Sequence, residues 1–176
     1  TAVAKEADHI LLLHDDAALD PDGVERLVEA TAIPGVDRVG IVGGKIVDWD
    51  DPRQLRDVGS SADRFGHAYS PLQPGEIDQG QFDRVLEVLS VSSCAMLVAR
   101  RAWQRVGLFD ERLAGRQAEL DLCWRARIAG YRVLMMPLAR VRHRGETTGS
   151  EPGGGPRRSA RYHEDRSAIA SVIKNY

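Results

Sequence analysis

The chain has 176 residues and sets 24 Lys and Arg against 26 Asp and Glu, a formal net charge of −2. That balance argues against a general nucleic-acid binder and against a protein held on anionic lipid by charge. A hydrophobic fraction of 43% beside 28% charged residues fits one folded domain, and a chain of this length buries roughly two-thirds of its unfolded surface.

The longest apolar runs, residues 10–13 and 94–99, fall far short of the roughly 18 residues a bilayer span needs. The opening Thr1 to Asp8 has no basic start followed by an apolar block, so it reads as a cut made within a helix and not as a secretory signal. Cys94 and Cys123 lie in apolar surroundings without CxxC spacing. That usage fits a reducing compartment and argues against either thiol as a metal ligand.

In chain order, residues 9–13 are an apolar burst ending in His14-Asp15-Asp16, the pattern of a strand buried on both faces whose C-terminal end meets a polar crevice. In open α/β sheets ligands bind at that end. Asp20 is the expected N-cap and Pro21 the first position of a helix over 21–32, with Val24, Leu27 and Val28 on its inner face. Residues 39–42 and 45–47 read as strand around a Gly43-Gly44 break, and 48–83 as loop and short edge strands. Strands are expected over 85–91 and 94–99, a short helix over 100–106, and an amphipathic helix over 120–129 closed by Gly130. A strand over 131–136 is expected to end at Pro137. Beyond it, the alternation of Val141 and His143 with Arg140, Arg142 and Arg144 turns His143 inward. Residues 149–158 read as a Gly/Pro-rich linker, and Ile169, Val172 and Ile173 mark a docked helix in the tail.

Three constellations carry chemistry. The adjacent carboxylates Asp15 and Asp16 at a strand end suit a hard divalent cation bound together with phosphate oxygens, or a solvated turn. Glu119 and Asp121 open a helix, where the dipole favours acids whatever their job; in a crevice one of them would serve as a general base. An inward His143 is either a satisfied core residue or a nitrogen ligand beside the carboxylates. Trp103 and Trp124 read as core, and either could stack on a sugar ring.

In order and spacing these pieces resemble the family 2 glycosyltransferases. The matching text is residues 9–22 (HILLLHDDAALDPD), 93–98 (SCAMLV), 107–111 (GLFDE) and 119–133 (ELDLCWRARIAGYRV), followed by Pro137 and His143. The resemblance implies a GT-A fold, a Rossmann-like α/β architecture with a mixed, mostly parallel sheet flanked by helices, here lacking the N-terminal strands that hold the nucleobase. It implies that residues 1–148 form the C-terminal portion of the catalytic domain, 149–158 a linker and 159–176 a helix that lids the acceptor side. By the same resemblance, Asp15 and Asp16 fall on the DxD-type element that binds Mn²⁺ or Mg²⁺ and, with Ser93, the donor diphosphate. His143 falls on a further metal ligand and Glu119 on the catalytic base, with Asp121 as fallback and Trp124 as an acceptor contact. Two departures stand out: Ala118 replaces the first acid of the family's usual pair and Glu119 replaces its Asp, while His14 stands where an acidic or amide residue is usual.

The activity implied is metal-dependent, inverting transfer of a sugar from a nucleoside-diphosphate sugar to a glycan or lipid-linked acceptor. It would take place in the cytoplasm, at the inner face of the plasma membrane if parts outside this chain attach it there, for cell-envelope synthesis in a bacterium; no nucleic-acid partner is expected. The altered Ala118-Glu119 pair leaves open a non-catalytic GT-A-like binding or scaffold module. A nucleotidyltransferase shares the strand-end carboxylates but not the block from Glu119 to His143.

Overall fold

A computed structural model describes residues 7–113, 115–145 and 157–175. At its centre lies a mixed seven-stranded sheet, counted among the described residues. Its main order is β1 (His9–Leu13), β8 (Ala95–Ala99), β3 (Val39–Asp48), β9 (Arg132–His143) and β2 (Ala17–Leu19). Short strands β4 (Leu55–Asp57) and β7 (Leu86–Glu87) pair onto β3 and β9, while β5 (Ser61–Ala62) and β6 (Ala68–Tyr69) form a separate hairpin. Only β3 and β9 run parallel; the other pairings in the sheet are antiparallel, so its parallel share is smaller than the resemblance implies.

Period-two alternation builds a core on each face of this sheet. Val39, Val42, Leu97, Leu134 and Met136 meet Leu27 and Ala30 of helix α1 (Gly23–Glu29) and the 3₁₀ turn after it. Ile41, Met96, Val98, Val133 and Met135 point the other way. They meet Ala102 of α2 (Arg100–Val106) and Leu122, Cys123 and Ala126 of α3 (Arg116–Ile128). One sheet covered on both sides by helices is the result.

Several elements depart from the sequence reading for local reasons. β1 is half-buried rather than enclosed, with β8 as its only sheet neighbour among the described residues. The residue before α1 is Asp22, not Asp20, and Val24 and Val28 are exposed; the buried row is Gly23, Leu27 and Ala30. Gly43 and Gly44 do not break β3. A Cβ on Gly44 would stand 2.5 Å from the carbonyl oxygen of Ala139, so glycine lets β9 approach there. Only residues 86–87 of the expected strand 85–91 pair as strand.

β9 does not stop at Pro137. Gly44 faces Met136 and Lys45 faces Arg140, so Pro137, Leu138 and Ala139 bulge out of register and the proline needs no ladder partner. In the tail, α4 (Arg157–Asn175) docks through Ala168, Ser171 and the half-buried Val172, whereas Ile169 and Ile173 stay exposed. The linker expected over 149–158 falls largely outside the described residues.

Candidate active site

Two strand pairings bring distant residues to one corner. β1 ends with Leu13 opposite Ala95, and the next amide, His14 N–H, donates to the Cys94 carbonyl at 3.1 Å. β2 pairs with the far end of β9, Ala17 opposite His143, which sets Asp16 beside that imidazole. His143 Nε2 lies 3.1 Å from Asp16 Oδ1, and His14 Nδ1 lies 3.9 Å from the same oxygen. The two rings meet edge to face with centroids 5.4 Å apart.

Glu119 reaches this corner from the first turn of α3. Its Oε1 accepts from Ser93 N–H at 2.7 Å, Ser93 Oγ at 2.6 Å and Ser92 Oγ at 3.3 Å. Ser93 Oγ also lies 3.1 Å from His14 Nε2. A serine hydroxyl has one proton, and the carboxylate takes it; toward the neutral His14 ring it can therefore only accept. This hydrogen-bond logic assigns the ring proton to Nε2 and a lone pair to Nδ1. That Nδ1 is buried and has no hydrogen-bond partner among the described residues.

An oxygen of Asp16 stands 3.1 Å from a ring nitrogen of His143 and 3.9 Å from the orphaned Nδ1 of His14, donor types that suit a divalent transition ion. Mixed oxygen and imidazole ligands suit Mn²⁺ or Zn²⁺ better than Mg²⁺, which favours oxygen throughout. His14, His143, Ser92, Ser93 and Glu119 all line one cavity of about 470 Å³, with Phe109 and Leu113 supplying apolar wall and Arg56 and Arg116 positive charge. Asp57, in β4, lines it too. Burial pushes its carboxyl up from the ordinary value and nearby Glu119 adds to this, against the Gly59 N–H at 2.7 Å and Arg116 at 3.6 Å.

The other sequence candidates lie elsewhere. Asp15 is exposed and does not line the cavity. Asp121 is fully buried and bound to Arg125 Nε at 2.8 Å, Lys174 Nζ at 3.1 Å and Asn175 Nδ2 at 3.0 Å, which ties α3 to α4. Trp124 is half-buried and also outside the cavity lining. Conversely, the structure adds His14, Asp57 and Cys94 to the neighbourhood. Cys94 is buried, and its thiol is pushed up to about 12 by burial first and then by the charges of Asp16, Glu119 and Asp57. The departure at His14 was the one visible signal among these.

This architecture is that of the GT-A fold. A crystal structure of GalNAc-T7 with UDP, GalNAc and Mn²⁺ matches it with a TM-score of 0.58, over 80% of this chain and 28% of that one, at 16% sequence identity. The chain belongs to the glycosyltransferase-like family 2, whose model matches residues 1–162. The O-antigen biosynthesis protein RfbC of Myxococcus xanthus is 30% identical over 146 residues, which span 80% of this chain but 11% of that protein.

Proposed function

We propose that this chain is the catalytic part of a glycosyltransferase that moves a sugar from a nucleoside-diphosphate donor to a hydroxyl of a glycan or lipid-linked acceptor, in an inverting single displacement. One observation carries the reading: the held carboxylate of Glu119 and the imidazoles of His14 and His143 line a single cavity, with Ser93 joining Glu119 to His14 and Asp16 standing behind His143, outside the lining. Family membership and the RfbC likeness support transfer for cell-envelope synthesis. Among the described residues no helix is long and apolar enough to cross a membrane, and we place the activity in the cytoplasm, at the inner membrane face if other segments anchor it.

Glu119 is the base. Three donors converge on Oε1 and fix the carboxylate, leaving Oε2 to take the acceptor's hydroxyl proton as that oxygen attacks the anomeric carbon. Glu119, one methylene longer than the family's usual Asp, reaches Ser93 with Oε1. Asp16 and His143, with His14, would hold a divalent ion, which when bound neutralises the departing diphosphate. Asp15, exposed beside them, can reach donor phosphate or ion only from outside the cavity. Arg116 adds positive charge to the wall, suited to an anionic donor.

Calorimetry with nucleoside diphosphates and Mn²⁺ tests the reading. Heat of binding is expected with Mn²⁺ present, and Asp16→Ala is expected to remove it. Silence of the full-length protein toward every nucleotide, with and without ion, would overturn the transferase and leave the scaffold module.

A further inference from the structure

We propose that Cys94 supplies a thiolate to this ion corner, so that the site takes a thiophilic divalent ion such as Zn²⁺ or Co²⁺ in preference to Mg²⁺. The inference rests on the reading above that the corner holds an ion. Cys94 Sγ, one ring nitrogen of His14 and one of His143 all lie within 4.8 Å of one another. They arrive from three elements, just past the end of β1, just before β8 and the end of β9, so no sequence spacing announces them.

The chemistry of the three is complementary. His14 brings a buried Nδ1 lone pair with no partner among the described residues. Cys94 is buried among Ile46, Ala95 and Val141 and forms no disulfide. Asp16 adds an oxygen on His143. Two imidazoles and a thiolate, with the Asp16 carboxylate beside His143, suit a borderline-soft ion, whereas Mg²⁺ demands oxygen and keeps its waters. Ligand bonds of about 2.0 Å to nitrogen and 2.3 Å to sulfur set the donors roughly 3.5 Å apart, so the side chains draw in by about 1 Å. As Sγ bonds the ion, the thiol proton leaves to solvent.

Affinity ranking alone would not test this, because nitrogen sites favour Zn²⁺ over Mn²⁺ with or without sulfur. Cobalt absorption does. Co²⁺ added to the full chain is expected to give visible ligand-field bands together with a thiolate charge-transfer band in the near ultraviolet, neither reversed by excess Mg²⁺. Cys94→Ser should erase the near-ultraviolet band, keep the visible ones and weaken Co²⁺ binding roughly tenfold or more. Cys123→Ser, in α3, should leave both sets intact. Visible bands without the charge-transfer band in the native chain, or a band that survives Cys94→Ser, would overturn the thiolate and leave the transferase reading standing. Failure of Co²⁺ to bind at all in equilibrium dialysis would overturn the thiolate and also take the ion out of the proposed reaction.

Discussion

Glu119 and Asp121 stand two residues apart on α3 and meet opposite fates. Positions i and i+2 of a helix do not share a face, so one carboxylate turns to the cavity and the other to α4. Glu119 is half-buried, with one oxygen held by hydroxyl and amide donors. Asp121 is fully buried and meets Arg125, Lys174 and Asn175. Asp121 is tied by cations into the packing of α3 on α4, whereas Glu119 has one oxygen held by neutral donors and the other turned to the cavity.

The sharpest way to break this contrast is Glu119→Gln. The amide oxygen can still accept from Ser93, so thermal stability should hold while transfer falls by about 10²–10⁴-fold. Normal turnover would remove Glu119 from the mechanism. Asp121→Ala should do the reverse. It takes the carboxylate from Arg125, at a cost of about 3 kcal/mol in denaturant unfolding, although Arg125 still donates to the Val106 and Leu108 carbonyls and Lys174 keeps Asp110 at 2.8 Å. Per folded molecule, turnover should stay near normal. Loss of turnover in a well-folded Asp121 variant would exchange the two roles.

The smallest effect concerns Asp57, the buried acid of the cavity wall. Its folded-state pKa is raised, so the native protein holds the proton more tightly than the unfolded chain, and stability falls as pH rises from the unfolded value near 3.9 through the folded one. Asp57→Asn keeps an acceptor for the Gly59 amide. It should raise Tm slightly at pH 7, with the gain shrinking to nothing below about pH 4. A gain that grows on acidification would show the sign to be wrong.

Much of the fold was legible where apolar periodicity and punctuation agreed. β1 and α2 fall on their expected residues, 9–13 and 100–106, and Gly130 closes α3 with a positive φ. Pro137 misled, because a proline in a bulge looks in sequence like a terminator; missing the second half of β9 also hid β2, which pairs only there. At the corner where β1, β8 and β9 meet, the placement of Asp16, Glu119 and the inward His143 was readable from residue pattern, and that of Ser93 only through the family resemblance. Asp57 was not, since it sits in a stretch rich in Asp, Gly and Pro that reads as loop. Nor was Cys94: its partners lie far along the chain, and only the strand ladders bring them together. Asp121 shows the limit of the helix-start pattern, which draws acids to a first turn without saying which way each side chain points.

The slip at residues 137–139 has a consequence for how the chain tolerates change in length. Everything downstream of it on β9 owes its inward or outward aspect to that odd three-residue offset against β3. Deleting or adding one residue there would invert the parity of the remaining strand, presenting the guanidinium of Arg142 to the crevice and turning the imidazole of His143 to solvent. A mostly buried kink, with Pro137 and Ala139 enclosed and Leu138 exposed, thus acts as the alignment gauge of His143, and length variants there should be rejected more harshly than most substitutions in the cavity wall.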